Sequence, residues 1–223
     1  MSQYLPEFMV FAVAHVLSLI SPGPDFLMVV QSSLRYSRRT ALFVALGISC
    51  GELIHVTYSL LGIGLVVAES LWLFTLLKYL GGAYLVYIGI QSLRAKPQEA
   101  AQIIADNADQ HSLVGEPTAW GAFGKGFLTN ALNAKAAFFT LSFFTVLVSP
   151  TTPFYVQLVY GAFIQVSTLA WFSLVATFLT HGTIQGQFLG AKHWIERTCG
   201  ALLVVLGIKL AVTDLETLTG SNL

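Results

Sequence analysis

Charge is what this chain has least of. Aspartate, glutamate, lysine and arginine make up 10% of its 223 residues, and they balance to a net charge of zero. A soluble domain carries about 25% charged residues, so the composition excludes one, and it offers no polybasic surface for nucleic acid. Cysteine is scarce as well. Cys50 and Cys199 each fall in an apolar stretch and form no CxxC, so both read as small packing residues rather than a redox or metal centre. No lysine or arginine precedes Arg35, and a cleavable signal peptide, which needs a positive n-region, is not expected. Gly-rich phosphate loops and HExxH are missing, which removes two common enzyme signatures. The chain is therefore expected to be no enzyme, with no catalytic residues, no cofactor and no metal.

What remains is apolar: 55% hydrophobic residues and a mean hydropathy of +0.72. The alternating ten-residue segments of a membrane barrel are absent, which leaves helices as the means of crossing. The expected fold is an all-α membrane protein, one transmembrane domain over residues 1–223. A span needs about 20 apolar residues, and six segments qualify: Phe8 to Leu34, Leu42 to about Ala68, Leu71 to Leu93, Trp120 to just before Pro150, Phe154 to Leu179, and about Trp194 to Val212. The long polar stretch Arg94–Thr118 separates the third from the fourth. In this layout Arg35, Arg38, Arg39, Arg94, Lys96, Lys125, Lys192 and Arg197 fall on one side, with Lys78 and Lys209 near the other. The positive-inside rule makes the first side cytoplasmic and puts both termini outside.

The first and fourth segments are interrupted. Within Leu19–Phe26, LISPGPDF, Pro22 and Pro24 each lack a backbone N–H and clash with the preceding turn of a continuous helix. In lipid, the backbone groups freed by such a break need partners in protein or in a cavity. The fourth segment carries Asn130, Asn133 and Lys135 in its interior. An internal repeat links the two halves. Gly81–Ile90, GGAYLVYIGI, and Cys199–Ile208, CGALLVVLGI, agree at six of ten positions. Gly47 and Gly161 open glycine-led stretches in the second and fifth segments. Repeat one is then 1–93, the cytoplasmic loop 94–118 and repeat two 119–223. A three-helix unit crosses an odd number of times, so its second copy is inverted. Inverted repeats with broken helices in matching positions point to a transporter with a midplane site.

Ionisable residues inside a bilayer are costly and mark function. Asp25 follows the double-proline break, where the positive end of the next half-helix favours an anion. It reads as an N-cap, or as a partner for a substrate ammonium or a proton. The same N–H groups are also suited to a substrate carboxylate. Lys135 is the matching counter-charge, and Asn130 and Asn133, three apart, share a helix face. Glu52 and His55 also share a face, either as a proton relay or as an internal hydrogen-bonded pair. His15, alone on an apolar helix, reads as a packed polar residue. Tyr79, Tyr84 and Tyr87 read as interface or packing residues. Gly47 and Gly51 form a GxxxG pair suited to close helix approach.

SPGPDF at Ser21–Phe26, GISCG at Gly47–Gly51, YLVYIGIQSLR at Tyr84–Arg94 and GFLTNALNAKA at Gly126–Ala136 together resemble the LysE/RhtB amino-acid exporters of bacterial inner membranes, along the whole chain. The SPGPDF and GISCG forms look most like the threonine-efflux branch. The resemblance implies a multi-pass inner-membrane protein that exports threonine or similar small neutral amino acids, driven by protons. It implies a transport core of Pro22, Gly23, Pro24 and Asp25 with Asn130, Asn133 and Lys135. Ala134 stands where the family has proline, which favours a continuous helix and a milder second break. The expected site is thus Pro22, Gly23, Pro24, Asp25, Glu52, His55, Asn130, Asn133 and Lys135. The expected partners are a small amino-acid substrate, the lipid bilayer and protons, with homo-oligomerisation left open and no nucleic acid. Two other classes stay on the page: a metal-ion exporter of a related superfamily, which needs carboxylates, histidines or thiols converging on one point, and a membrane redox conduit, which needs paired cysteines.

Overall fold

The computed structural model describes residues 2–21, 23–69, 71–94, 115–179, 197–205 and 208. Pro22, most of the polar stretch, much of the expected sixth span, and the orientation markers Lys96, Lys192 and Lys209 lie outside these residues. Among the described residues every regular element is helical: α1 Leu5–Ile20, α2 Pro24–Arg35, α3 Arg38–Glu69, α4 Leu71–Leu93, α5 Ala119–Ala131, α6 Ala134–Ser142 and α7 Phe154–Leu179. Residues 197–205 form a further helix, α8. A π-helical stretch, Phe143–Leu147, continues α6. Among the described residues two helices are long and apolar enough to cross a membrane, Arg38–Gly62 within α3 and Phe154–Leu179, and the bent pair α1–α2 makes a third if it is one broken span.

The first break is where the prolines put it. Residues preceding proline are pushed out of the helical region, and Ser21 and Gly23 are both extended. Pro24 then opens α2, a position where its missing N–H costs nothing. The two half-helices meet at a bend of 50°.

The second break forms in the fourth segment as expected, with alanine at position 134. The helix stops at Ala131 and restarts at Ala134 although no proline stands there. Asn133 replaces the proline's effect: it is extended, and its side chain caps the new helix by accepting the Lys135 N–H at 3.0 Å. The interruption covers residues 132–133, whereas in the first segment α1 ends at Ile20 and α2 begins at Pro24.

Glycine sets the closest packing. A Cβ on Gly47 would lie 2.1 Å from the Phe123 carbonyl oxygen, and one on Gly126 would lie 2.1 Å from that of Val44. The backbones of α3 and α5 therefore touch at the predicted GxxxG. Gly161 packs instead on the Val56 and Leu60 side chains, so it is not the packing equivalent of Gly47. The helices carrying the sequence repeat, α4 and α8, meet at Gly89 and Gly200, where either Cβ would come within 2.7 Å of the other's carbonyl oxygen. Helix α3 crosses α7 at a polar contact, where Gln165 Nε2 donates to the Ser49 carbonyl at 2.8 Å.

Two glutamates clamp the turns outside the helices. Glu116, just before α5, accepts from the Ser37 amide at 3.0 Å, from the Thr40 hydroxyl at 2.5 Å and from the Ser37 hydroxyl. Glu7, in the first turn of α1, accepts from the Ser149 amide at 3.0 Å, from the Thr152 hydroxyl at 3.0 Å and from the Tyr160 hydroxyl at 3.0 Å. Each carboxylate thus holds a Ser-x-x-Thr turn from the other half of the chain.

Two outcomes follow from these contacts. Gly47→Ala is expected to cost about 1–3 kcal/mol by overpacking and to lower the melting temperature in detergent by roughly 2–12 °C. Gly124→Ala, with open space around it, should not lower it. The Ser37 hydroxyl, the Thr40 hydroxyl and the Ser37 amide hold the Glu116 carboxyl below its ordinary range. Its contribution is therefore present above the unfolded carboxylate pKa and lost as pH falls through the lower folded value. The stability difference between the parent protein and Glu116→Ala should be present at pH 7 and shrink on acidification; a difference that grows on acidification would contradict the clamp.

Candidate functional site

Asp25 is the second residue of α2 and Lys135 the second residue of α6, so the two breaks place opposite charges at matching helix positions. Each then reaches the other's break. Asp25 is 9% exposed, and its Oδ2 accepts from Asn133 Nδ2 at 2.8 Å and from Asn130 Nδ2 at 3.1 Å. It is not an N-cap: Gly23 holds that position without side-chain capping, and the Asp25 carboxylate turns across to the second break. Lys135 donates from Nζ to the Ser21 carbonyl at 2.8 Å and to the Ser21 hydroxyl at 3.1 Å. A cation is disfavoured at its own helix N-terminus. Lys135 escapes this by delivering its charge to the carbonyl end of α1. Gly23 leaves it room, since a Cβ there would lie 3.0 Å from Lys135 Cδ and 3.2 Å from Nζ.

Helix α3 supplies the third wall. Glu52 accepts from Asn130 Nδ2 at 3.1 Å and from the Thr140 hydroxyl at 2.5 Å. His55 Nε2 donates to the Asn130 carbonyl at 2.9 Å. Glu52 and His55 are thus tied to Asn130 rather than bonded to one another, and a direct pair is not formed. Asn130 and Asn133 do not share a continuous helix face, because the chain breaks between them; they still converge on one Asp25 oxygen. Asn130 is the hub: its amide joins two carboxylates while its carbonyl holds a histidine. Gly51 keeps the hub in place, for a Cβ there would lie 3.0 Å from Asn130 Oδ1.

These groups line a cavity of about 50 Å³ with His15, Ser18, Thr140 and Thr168, walled by Phe26, Phe139 and Phe172. That is room for a few waters. Asp25 Oδ1, on the far side of the carboxylate, has no hydrogen-bond partner among the described residues. Gly23, Asp25, Glu52, Asn130, Asn133 and Lys135 all line the cavity; Pro24 opens α2 beside it, His55 stands behind Asn130, and Pro22 lies outside the described residues. Sequence reasoning passed over Ser21, although it stands inside the SPGPDF motif, and Thr140 and Thr168, which carry no local signal. It took His15 as packing, and His15 is both packed, edge-on to Phe143 and Phe163, and part of the cavity wall.

The family model of the LysE type translocator matches residues 16–214. The chain belongs to the LysE family. Within it, this LysE-type chain is 34% identical over 206 residues to the threonine efflux protein of Escherichia coli (strain K12), covering 92% of this chain and 98% of that protein. It is 33% identical over 208 residues to the threonine efflux protein of Salmonella typhi, with 92% and 98% covered. The membrane protein YrhP of Bacillus subtilis (strain 168) is 25% identical over 196 residues, 87% of this chain and 93% of that protein. No solved structure matches. Among the described residues no group of three His, Cys, Asp or Glu side chains is placed to hold a metal ion, and Cys50 and Cys199 lie on different helices and are not joined in a disulfide.

Asn133 has two separable duties, capping α6 and donating to Asp25. Asn133→Ala loses both and should cost about 1–3 kcal/mol. Asn133→Ser keeps a capping oxygen and should recover part of that loss in detergent melting. Equal losses in the two variants would mean that the cap contributes nothing.

Proposed function

We propose that the chain is a secondary transporter that exports threonine or similar small neutral amino acids across the bacterial inner membrane, with protons as the coupling ion. The observation that carries this reading is the joining of two helix breaks at one cavity, with a carboxylate and an ammonium each at the second position of a half-helix. An amino acid presents the complementary pair. Its ammonium suits Asp25, whose Oδ1 is unengaged, and Glu52. Its carboxylate suits Lys135, Asn133 and the N–H groups that open α2 and α6. Asp25 and Glu52 are the groups to carry the proton, since a proton and a substrate ammonium compete for the same oxygens.

Two features support an architecture of six spans in two inverted repeats. Asp25 and Lys135 occupy equal positions after the two breaks. Glu116 and Glu7 hold the Ser37–Thr40 and Ser149–Thr152 turns in the same way. An inverted pair of clamps lies one at each membrane face, Glu116 with the basic residues Arg35, Arg38 and Arg39 on the cytoplasmic side and Glu7 outside with both termini. Alternating access would then open one clamp while the other stays shut.

Cells loaded with a threonine-containing dipeptide should release threonine in proportion to the amount of this protein. Asp25→Asn and Lys135→Ala should each lower the initial release rate by about tenfold or more, as expected when a charged hydrogen bond to the substrate is lost. Release equal to that of the parent protein in both variants would remove these residues from the site.

A further inference from the structure

Several hydroxyls in these helices share one habit. Ser33, Thr129, Ser142 and Ser167 each donate to the carbonyl four residues earlier, at 2.7, 2.7, 2.6 and 2.5 Å. That local bond satisfies a helical hydroxyl with no tertiary partner. Among the described residues Ser59 lacks a partner too, but inside the cavity wall it is Thr168 that departs from the habit. It is 1% exposed, and its Oγ1 has no hydrogen-bond partner among the described residues. His15, 3% exposed, has an unpartnered Nε2 as well. Buried polar atoms are rarely left unpaired, and each instance needs a reason. Both residues line the cavity that holds Asp25 and Lys135, one from α1 and one from α7.

The two orphans share a chemistry. An imidazole nitrogen and a threonine hydroxyl are both satisfied by a second hydroxyl, which donates and accepts at once. An ammonium also donates to both atoms, but on the export reading the cargo's ammonium and carboxylate have their own partners at the helix breaks. The register of the fold points the same way. Ser49 and Gln165 bond to each other where α3 crosses α7. Three residues further along each helix stand Glu52 and Thr168, both in the cavity wall. In a two-fold-related pair, the place of the charged Glu52 is thus taken in the second repeat by a neutral hydroxyl.

We infer that His15 and Thr168 form a subsite for a hydroxyl on the cargo's side chain, so that the transporter selects hydroxylated amino acids over apolar ones of the same shape. The inference rests on the export reading above and gives the cavity a polarity: the α-amino and α-carboxyl groups at the breaks, the side chain toward α1 and α7. Threonine and valine differ there by a hydroxyl against a methyl. A site built to bond the hydroxyl rejects the analogue that lacks it, because its own polar atoms are stranded.

The test uses the full-length protein in proteoliposomes under an imposed pH gradient, with radiolabelled threonine and valine as separate probes. The ratio of their initial rates is the readout, since a loss of folding or of general activity lowers both. Thr168→Val and His15→Leu should each lower the threonine-to-valine ratio by about tenfold, and Thr168→Ser should restore it. Thr168→Ala, which removes the hydroxyl without adding bulk, replaces the valine variant if that protein is not monodisperse. An unchanged ratio in the Thr168 and His15 variants, with threonine still carried by the parent protein, would overturn the subsite and assign the two orphans to a buried water. A parent protein that carries neither amino acid would overturn the export reading and this inference with it.

Discussion

A carboxylate buried among apolar helices survives only if something replaces the water it has lost. For Asp25 that replacement comes from the opposite half of the chain: two asparagine amides, one on each side of the second helix break. The converse holds at the first break, where the Ser21 carbonyl left free by the end of α1 receives the Lys135 ammonium. Neither break is stable alone. Each frees backbone groups or buries a charge that only the other can satisfy, and in a bilayer no solvent stands in. The fold is therefore organised to bring two interruptions together.

Helix packing supplies the required distance. The α3–α5 contact at Gly47 and Gly126 lets the two backbones touch, and Gly51 carries the same closeness down to Asn130. A side chain at any of these positions pushes α5 outward and takes the Asn130 amide away from Glu52 and Asp25. Stability and site geometry are one constraint here. The glutamate clamps work at the other scale, fixing the turns that enter α3 and α7 so that the cavity walls keep their register.

Much of this was legible in the sequence, for identifiable reasons. Proline has a fixed backbone consequence, so Pro22 and Pro24 located the first break. Charges in apolar runs are rare enough that Asp25, Glu52 and Lys135 stood out, and the three line one cavity. Glycine spacing located the α3–α5 contact. Other features depend on the folded neighbour rather than on local chemistry. Ala134 argued for a milder break, and Asn133 still ends the turn by capping, an effect that competes with propensity and is invisible in composition. Glu52 and His55 look like a pair by spacing, but the Asn130 backbone intervenes between them. Thr168 is one of many threonines until the absence of a partner sets it apart.

The central claim is that the two breaks enclose one amino-acid site, and direct protection measures it. Ala136 lines the cavity next to Lys135, and a cysteine introduced there in a Cys50→Ala, Cys199→Ala background can be labelled with a small water-soluble maleimide. Threonine at increasing concentration should slow labelling saturably at Ala136→Cys. It should leave labelling unchanged at Gly115→Cys, an exposed position outside the helices. Labelling at position 136 that does not respond to any amino acid, in a protein that still exports threonine, would place the site elsewhere and contradict the account.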